Sequence, residues 1–122
     1  TLDHILHVDR VLVRYLHEGR PPENFEPNQR VHEDFAALRT ARESFDAELE
    51  ALFRDAPSGW LAEEFRFHSD RLGRERRLPR HFFAVQLFNH QTHHRSQVTS
   101  ALHRLGIDYG ATDLPMNPLS QF

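Results

Sequence analysis

Asn89-His90-Gln91-Thr92-His93-His94-Arg95-Ser96-Gln97-Val98 is the stretch from which the rest of the chain is best read. It lies within a segment from Pro79 to Leu105 that contains no Gly and no Pro after its first residue, and so reads as one long helix. His90 and His94 are four residues apart, a spacing that puts them on one helix face, about 6 Å apart along the axis. Phe83, Leu87, His90, His94, Val98, Ala101 and Leu105 follow steps of three and four along a mostly apolar stripe. His93 falls with Gln86, Asn89, Gln97, Ser100 and Arg104 on the wetter side. Two imidazoles in register on an apolar stripe have two readings. They are core residues satisfied by hydrogen bonds, or they share one metal ion, because neutral imidazole binds zinc-like metals at about 2.0–2.1 Å.

The second reading has a chemical boundary. Zinc peptidases of the H-E-x-x-H type carry a general-base Glu directly after the first His, and here that place holds Gln91. An amide cannot take a proton from metal-bound water, so peptidase chemistry is disfavoured. The chain has no Cys, which removes thiolate ligands and disulfides and leaves its ten His and its carboxylates as the metal-binding repertoire. A length of 122 residues suits a single domain, 1–122, with one modest core. Only 39% of residues are hydrophobic, so the ten Phe must supply much of the core bulk. The net charge of −3 argues against a nucleic-acid-binding domain, which is expected to be basic. No apolar run approaches the roughly 20 residues that span a bilayer. No signal peptide is recognisable, and the expected location is cytoplasmic.

Leu2 to Glu18 reads as a first helix. Leu2, Ile5, Leu12 and Leu16 form one apolar row, and His4, Val8, Val11 and Tyr15 form a second beside it. Asp3, His7, Arg10, Arg14 and His17 make the polar face, which assigns His7 and His17 to water and His4 to the interior. Asp9 falls within the first apolar row. It is either a buried carboxylate that needs an Arg or a metal-bound His as partner, or a solvated residue at the row's edge. Gly19 closes this helix, and Pro21, Pro22 and Pro27 keep the following loop irregular.

A second helix is expected over 30–55. Its stripe is Val31, Phe35, Leu38, Phe45, Leu49 and Leu52, with Arg42 in the gap and His32 off the stripe at the surface. Phe65 and Phe67 alternate with Arg66 and His68, a short-strand pattern, and 74–78 could return as its partner. Five Arg between 71 and 80 read either as an anion-attracting rim or as a solvated loop. Pro79 suits the first position of the last helix. Gly106 ends that helix. The tail beyond it, with Gly110, Pro115 and Pro118, allows at most a short helical turn. Ile107, Tyr109, Leu114, Met116 and Leu119 are expected to pack it back on the body.

Three long helices with short to medium connections predict an all-α fold, an antiparallel helical bundle, with room for a short β-hairpin between the last two long helices. Antiparallel packing brings the start of the first helix beside the middle of the last. His4 is the one inward-facing His outside the last helix. With His90 and His94 it makes a three-His metal site that leaves a coordination position open for water or substrate. Zinc and nickel both suit such ligands. His93 lies roughly 100° around the helix from His94 and is expected to miss the metal, as is His7. Asp9 is the candidate to hold a ligand ring from behind. No residue reads as a general acid or base.

Thr1-Leu2-Asp3-His4-Ile5-Leu6, followed by Asp9-Arg10, resembles the T-L-N-H-I-L…D-R segment of the DinB family of bacterial metal-dependent proteins. Asn89 to Gln97 resembles that family's signature of an N-H dipeptide followed downstream by H-H-R-G-Q. Leu105-Gly106-Ile107 and Thr112-Asp113-Leu114-Pro115 resemble its C-terminal end. Asp3 stands where the family commonly has Asn, and Ser96 where it has Gly. The resemblance implies a four-helix bundle whose metal is held by one His of an early helix and two of a late one, which here are His4, His90 and His94. It also implies a further helix ahead of Thr1, absent from these residues, without which an apolar face awaits a partner; a homodimer is expected. Activities known among relatives imply a metal-dependent enzyme acting on a small-molecule substrate with a low-molecular-weight thiol. Thiol S-transferase chemistry ranks above hydrolysis. The alternative is a non-catalytic metal-binding or interaction protein on the same bundle.

Overall fold

The computed structural model describes residues 1–20 and 22–116. Its helices are α1 (Leu2–Glu18), α2 (Phe35–Asp55) and α3 (His81–Arg104), with short 3-10 turns at Trp60–Ala62 and Leu114–Met116. Strands β1 (Glu64–Ser69) and β2 (Arg74–Pro79) form an antiparallel hairpin between α2 and α3. The described residues are therefore helix-rich but not all-α, and they hold three long helices rather than four.

Local chemistry explains the helix limits. α1 ends where Gly19 adopts φ 70°, and its N–H donates to the Tyr15 carbonyl at 2.9 Å. A Cβ at Gly19 would lie 2.6 Å from the Arg66 carbonyl oxygen, so the hairpin sits directly on this helix end. α2 begins at Phe35, five residues later than the expected start at 30. Asp34 is its N-cap, and the carboxylate accepts from the Ala37 N–H at 2.8 Å. Residues 30–33 are instead irregular and tied down. The Arg30 guanidinium donates to the His32 and Glu33 carbonyls, and the Val31 N–H donates to Asp3 at 2.6 Å.

The hairpin is held by aromatic packing. Phe65 and Phe67 turn toward Phe83 of α3, with ring centroids at 5.3 and 5.0 Å, and Tyr15 of α1 stacks on Phe83 at 5.2 Å. Pro79 is not the first residue of α3 but the last of β2, paired with Glu64. Arg80 follows it and joins three elements. Its guanidinium donates to the Leu16 carbonyl at 3.1 Å and to Glu63 at 2.6 Å, and it lies over Trp60. Arg71, Arg74, Arg76 and Arg77 are exposed, the last three of them on strand β2 rather than in a loop.

α1 packs most extensively on α3. The Arg80 contact to Leu16 at one end, and the His4 contacts to His90 and His94 at the other, show that the two run antiparallel. Leu12, Leu49 and Leu87 bring the three helices to one core, flanked by Val8, Val13, Leu52, Phe53 and Phe83. Leu6, fully buried, belongs to neither apolar row assigned from the sequence. Leu105 is 72% exposed, so the α3 stripe outruns the body it packs on. Ile107, Tyr109, Leu114 and Met116, expected to pack back on the body, are exposed, and Leu119 lies outside the described residues.

Asp9 resolves in favour of burial. It is fully buried, and its Oδ2 accepts from Arg42 of α2 at 2.5 Å and from the Gln91 amide of α3 at 2.8 Å. Burial pushes its carboxyl pKa up, against the opposing pull of these two donors. Arg42 also binds Asp46 one turn on. Removing one member of a buried ion pair leaves the other charge uncompensated, which destabilises by about 3–5 kcal/mol. Arg42→Ala should show a loss of that size in urea denaturation, and the apolar pair Asp9→Leu with Arg42→Met should recover much of it. Gly19→Ala should also destabilise, by at least about 1–3 kcal/mol for the left-handed backbone, with the Arg66 clash adding to it.

Candidate metal centre

Two helices build the centre. His4 sits in the first turns of α1, and His90 and His94 lie one turn apart near the middle of α3. The antiparallel packing brings the three rings together. Centroids are 5.2 Å apart for His4 and His90, 4.7 Å for His4 and His94, and 4.5 Å for His90 and His94. One ring nitrogen from each lies within 4.8 Å of the others. All three residues are half-buried, between the dry core around Leu87 and the solvent.

Their hydrogen bonds select which nitrogen is offered. His4 Nδ1 lies 2.7 Å from the Pro27 carbonyl oxygen, which can only accept, so Nδ1 carries the proton and Nε2 keeps its lone pair. His94 Nδ1 donates in the same way to the Gln97 Oε1 at 2.8 Å. The other end of that amide points to His93 Nε2 at 3.5 Å, which agrees with this orientation. His90 Nδ1 is buried without a hydrogen-bond partner among the described residues. Burial, then the neighbouring His94, His4 and His93, push the His90 pKa down to about 4. His90 is therefore neutral at physiological pH, the form that ligates. Two lone pairs on Nε2 and one orphaned ring nitrogen make a donor set that fits a divalent metal.

His93 is next to His94, with centroids at 4.8 Å, but it is exposed and turned toward Gln97, outside the three-His group. His7 is also outside it, although not for the reason its helical position suggested. It is not free in water: its Nε2 donates to the Glu26 carbonyl at 3.0 Å, and its ring lies 5.1 Å from that of Phe25. Asp9 does not hold a ligand ring, because its hydrogen bonds go to Arg42 and Gln91. Gln91 itself faces that carboxylate.

One residue of interest was assigned to the surface by its sequence position. His32 is half-buried, with its Nδ1 at 2.6 Å from Asp3 Oδ1. It shares with His4 a cavity of about 520 Å³, whose wall also includes Asp3, Arg30, Phe35 and Leu38. The sequence carried one signal of this, the acidic Asp3 in place of the Asn common in the resembled motif.

Three imidazoles converging from two antiparallel helices give a helix-rich protein an all-nitrogen group that could hold a metal ion. The chain belongs to the DinB family, whose model matches residues 1–121. No match was found among curated proteins or among solved structures.

The His90 pKa has a measurable consequence in metal-free protein. Its folded value of about 4 lies below the ordinary 6.5, so the unfolded chain binds the extra proton first as pH falls. The His90 contribution to stability is complete above pH 6.5, declines through that window and is lost below about 4. Chemical denaturation in the presence of a chelator should show lower stability at pH 5 than at pH 7.5, with a shallower decline in His90→Gln.

Proposed function

We propose that His4, His90 and His94 hold one divalent metal ion, zinc or nickel, and that the protein is a metal-dependent transferase. It acts on a small-molecule substrate with a low-molecular-weight thiol as the nucleophile. The observation that carries the metal reading is the convergence of one ring nitrogen from each His within 4.8 Å. Family membership supports it. When bound, a divalent ion on three neutral imidazoles keeps its full charge and stabilises a thiolate or a hydroxide beside it.

The chain's own groups define the rest of the chemistry. The Pro27 carbonyl and the Gln97 amide hold the His4 and His94 rings with Nε2 free, which fixes their orientation before any ligand arrives. Gln91 is engaged with Asp9 and carries no basic atom, which supports thiol transfer over peptidase-like hydrolysis. The cavity beside His4 has a polar wall at Asp3 and His32 and an apolar wall at Phe35 and Leu38, suited to a small amphipathic molecule. We further propose a homodimer, supported by the exposed Phe82, Val85 and Phe88 on successive turns of α3.

Elemental analysis of protein purified without a His tag should find one metal per chain, and X-ray absorption should place nitrogen neighbours at about 2.0–2.2 Å. His90→Ala or His94→Ala should abolish stoichiometric metal, whereas His93→Ala should keep most of it. Equal loss in His93→Ala would overturn the ligand set. Metal-loaded protein that binds no thiol would instead leave the non-catalytic metal-binding reading. Light scattering showing only monomer at every concentration would remove the dimer.

A further inference from the structure

We propose that the outer edge of strand β2 is a docking site for an extended acidic peptide, which adds to the hairpin as a third strand and sets its carboxylates against Arg74, Arg76 and Arg77. The site lies at the Gly19 end of α1, away from the three-His group, and does not depend on the metal reading.

The hairpin has one open edge. An antiparallel pair leaves the N–H and C=O groups of alternate residues on each strand pointing away from the partner. On the β1 side α1 ends against that edge, since a Cβ at Gly19 would come within 2.6 Å of the Arg66 carbonyl oxygen. On the β2 side, no described residue outside β1 hydrogen-bonds the backbone of 74–78. Arg74, Glu75, Arg76 and Arg77 are all exposed. Backbone pairing along such an edge supplies affinity, and the flanking side chains supply selectivity.

The charge left over on this edge is of one sign. Residues 64–79 carry five Arg against Glu64, Asp70 and Glu75, in a chain whose net charge is −3. The three carboxylates are engaged within the hairpin. Glu64 meets Arg77 at 3.5 Å, and Asp70 and Glu75 meet the two ring nitrogens of His68 at 3.7 and 3.1 Å. The side chains of Arg66, Arg71, Arg74 and Arg76 have no ion pair or hydrogen bond among the described residues. Arg66 stands directly across from Arg77, an unfavourable like-charge pair that an added carboxylate relieves.

The two faces of the ribbon decide the kind of partner. Arg74 and Arg76 stand opposite Ser69 and Phe67, on the face where Phe65 and Phe67 turn toward Phe83. Arg66 and Arg77 are on the other face. A flat anionic surface, such as a membrane or the flank of a nucleic-acid duplex, meets one face only. A strand laid along the edge alternates its side chains in the same way and reaches both. Antiparallel addition calls for acids opposite Arg77, Arg76 and Arg74 and a neutral residue opposite Glu75. The same charge disfavours a second copy of β2, which would set Arg against Arg.

The test uses the whole protein and a fluorescein-labelled peptide, Thr-Val-Glu-Glu-Thr-Glu-Val-Thr, followed by fluorescence anisotropy. The peptide should bind, and its Glu-to-Gln counterpart should not. Arg74→Gln with Arg76→Gln should weaken binding about tenfold, with an unchanged circular dichroism spectrum. Backbone N-methylation at alternate peptide residues separates strand addition from charge attraction alone. One alternate set should abolish binding and the other should be tolerated, because only one set of N–H groups faces β2. Equal binding of both methylated peptides and the unmodified one overturns strand addition, as does equal binding to wild type and the double variant. A single-stranded thymidine oligonucleotide or phosphatidylglycerol vesicles binding more tightly than the peptide would overturn the choice of partner.

Hydrogen exchange in wild type gives a readout that needs no variant. Peptide binding should slow exchange at alternate amides of 74–78 and leave the amides of α2 unchanged. No added protection along β2 in the peptide-bound protein overturns the proposal.

Discussion

The structure turns on the buried carboxylate of Asp9. It is on α1, and its Oδ2 is met by Arg42 from α2 and Gln91 from α3, so one fully buried atom ties all three helices. A buried charge is tolerated only while its donors are in place. A rotation of α3 that removed Gln91, or a slide of α2 that withdrew Arg42, would strand the charge. The constraint extends to the three-His group, because Gln91 adjoins His90 and His4 lies little more than one helical turn before Asp9. The donors to Asp9 Oδ2 therefore also set the rotation at which His90 and His94 meet His4.

The proline-bearing connection between α1 and α2 does more than link helices. Its carbonyls at Glu26 and Pro27 receive His7 and His4, and its Val31 and His32 N–H groups are received by Asp3. Backbone groups that no helix could satisfy are paired by side chains of α1. The connection in turn covers a face of α1 that helical periodicity assigns to water. That exchange fixes the tautomer of His4 and builds the cavity wall carrying His32.

At the other end of the molecule, aromatic rings and Arg80 do the corresponding work. Phe65, Phe67, Phe83 and Tyr15 form one aromatic cluster, and Arg80 bonds to the carbonyl of Leu16 near the end of α1. That carbonyl is one of the unpaired acceptors of a helix C-terminus. Its satisfaction by a residue just ahead of α3 locks the antiparallel arrangement that places His4 at the opposite end. The hairpin is therefore a brace for the α1 and α3 pairing, and its exposed Arg71, Arg74, Arg76 and Arg77 take no part in that packing.

Periodicity and breakers alone determined the limits of α1, the existence of α3 and the inward placement of His4, His90 and His94. These depend on spacing along one chain segment, where side-chain direction repeats every 3.6 residues. The alternation of Phe65 and Phe67 likewise carried the hairpin. Residues 30–33 were drawn into α2, His7 and His32 into solvent, and the tail onto the body, because periodicity describes a helix in isolation and contains no information about what lies against it. Only the tertiary structure decided that Arg42 and Gln91 meet Asp9, that Pro27 and Gln97 hold the Nδ1 atoms of His4 and His94, and that Asp3 holds His32. Each of those is a hydrogen bond of fixed length and direction, and most join groups far apart in the chain. Sequence determines that such groups must find partners, while the packing of helices determines which partners they find.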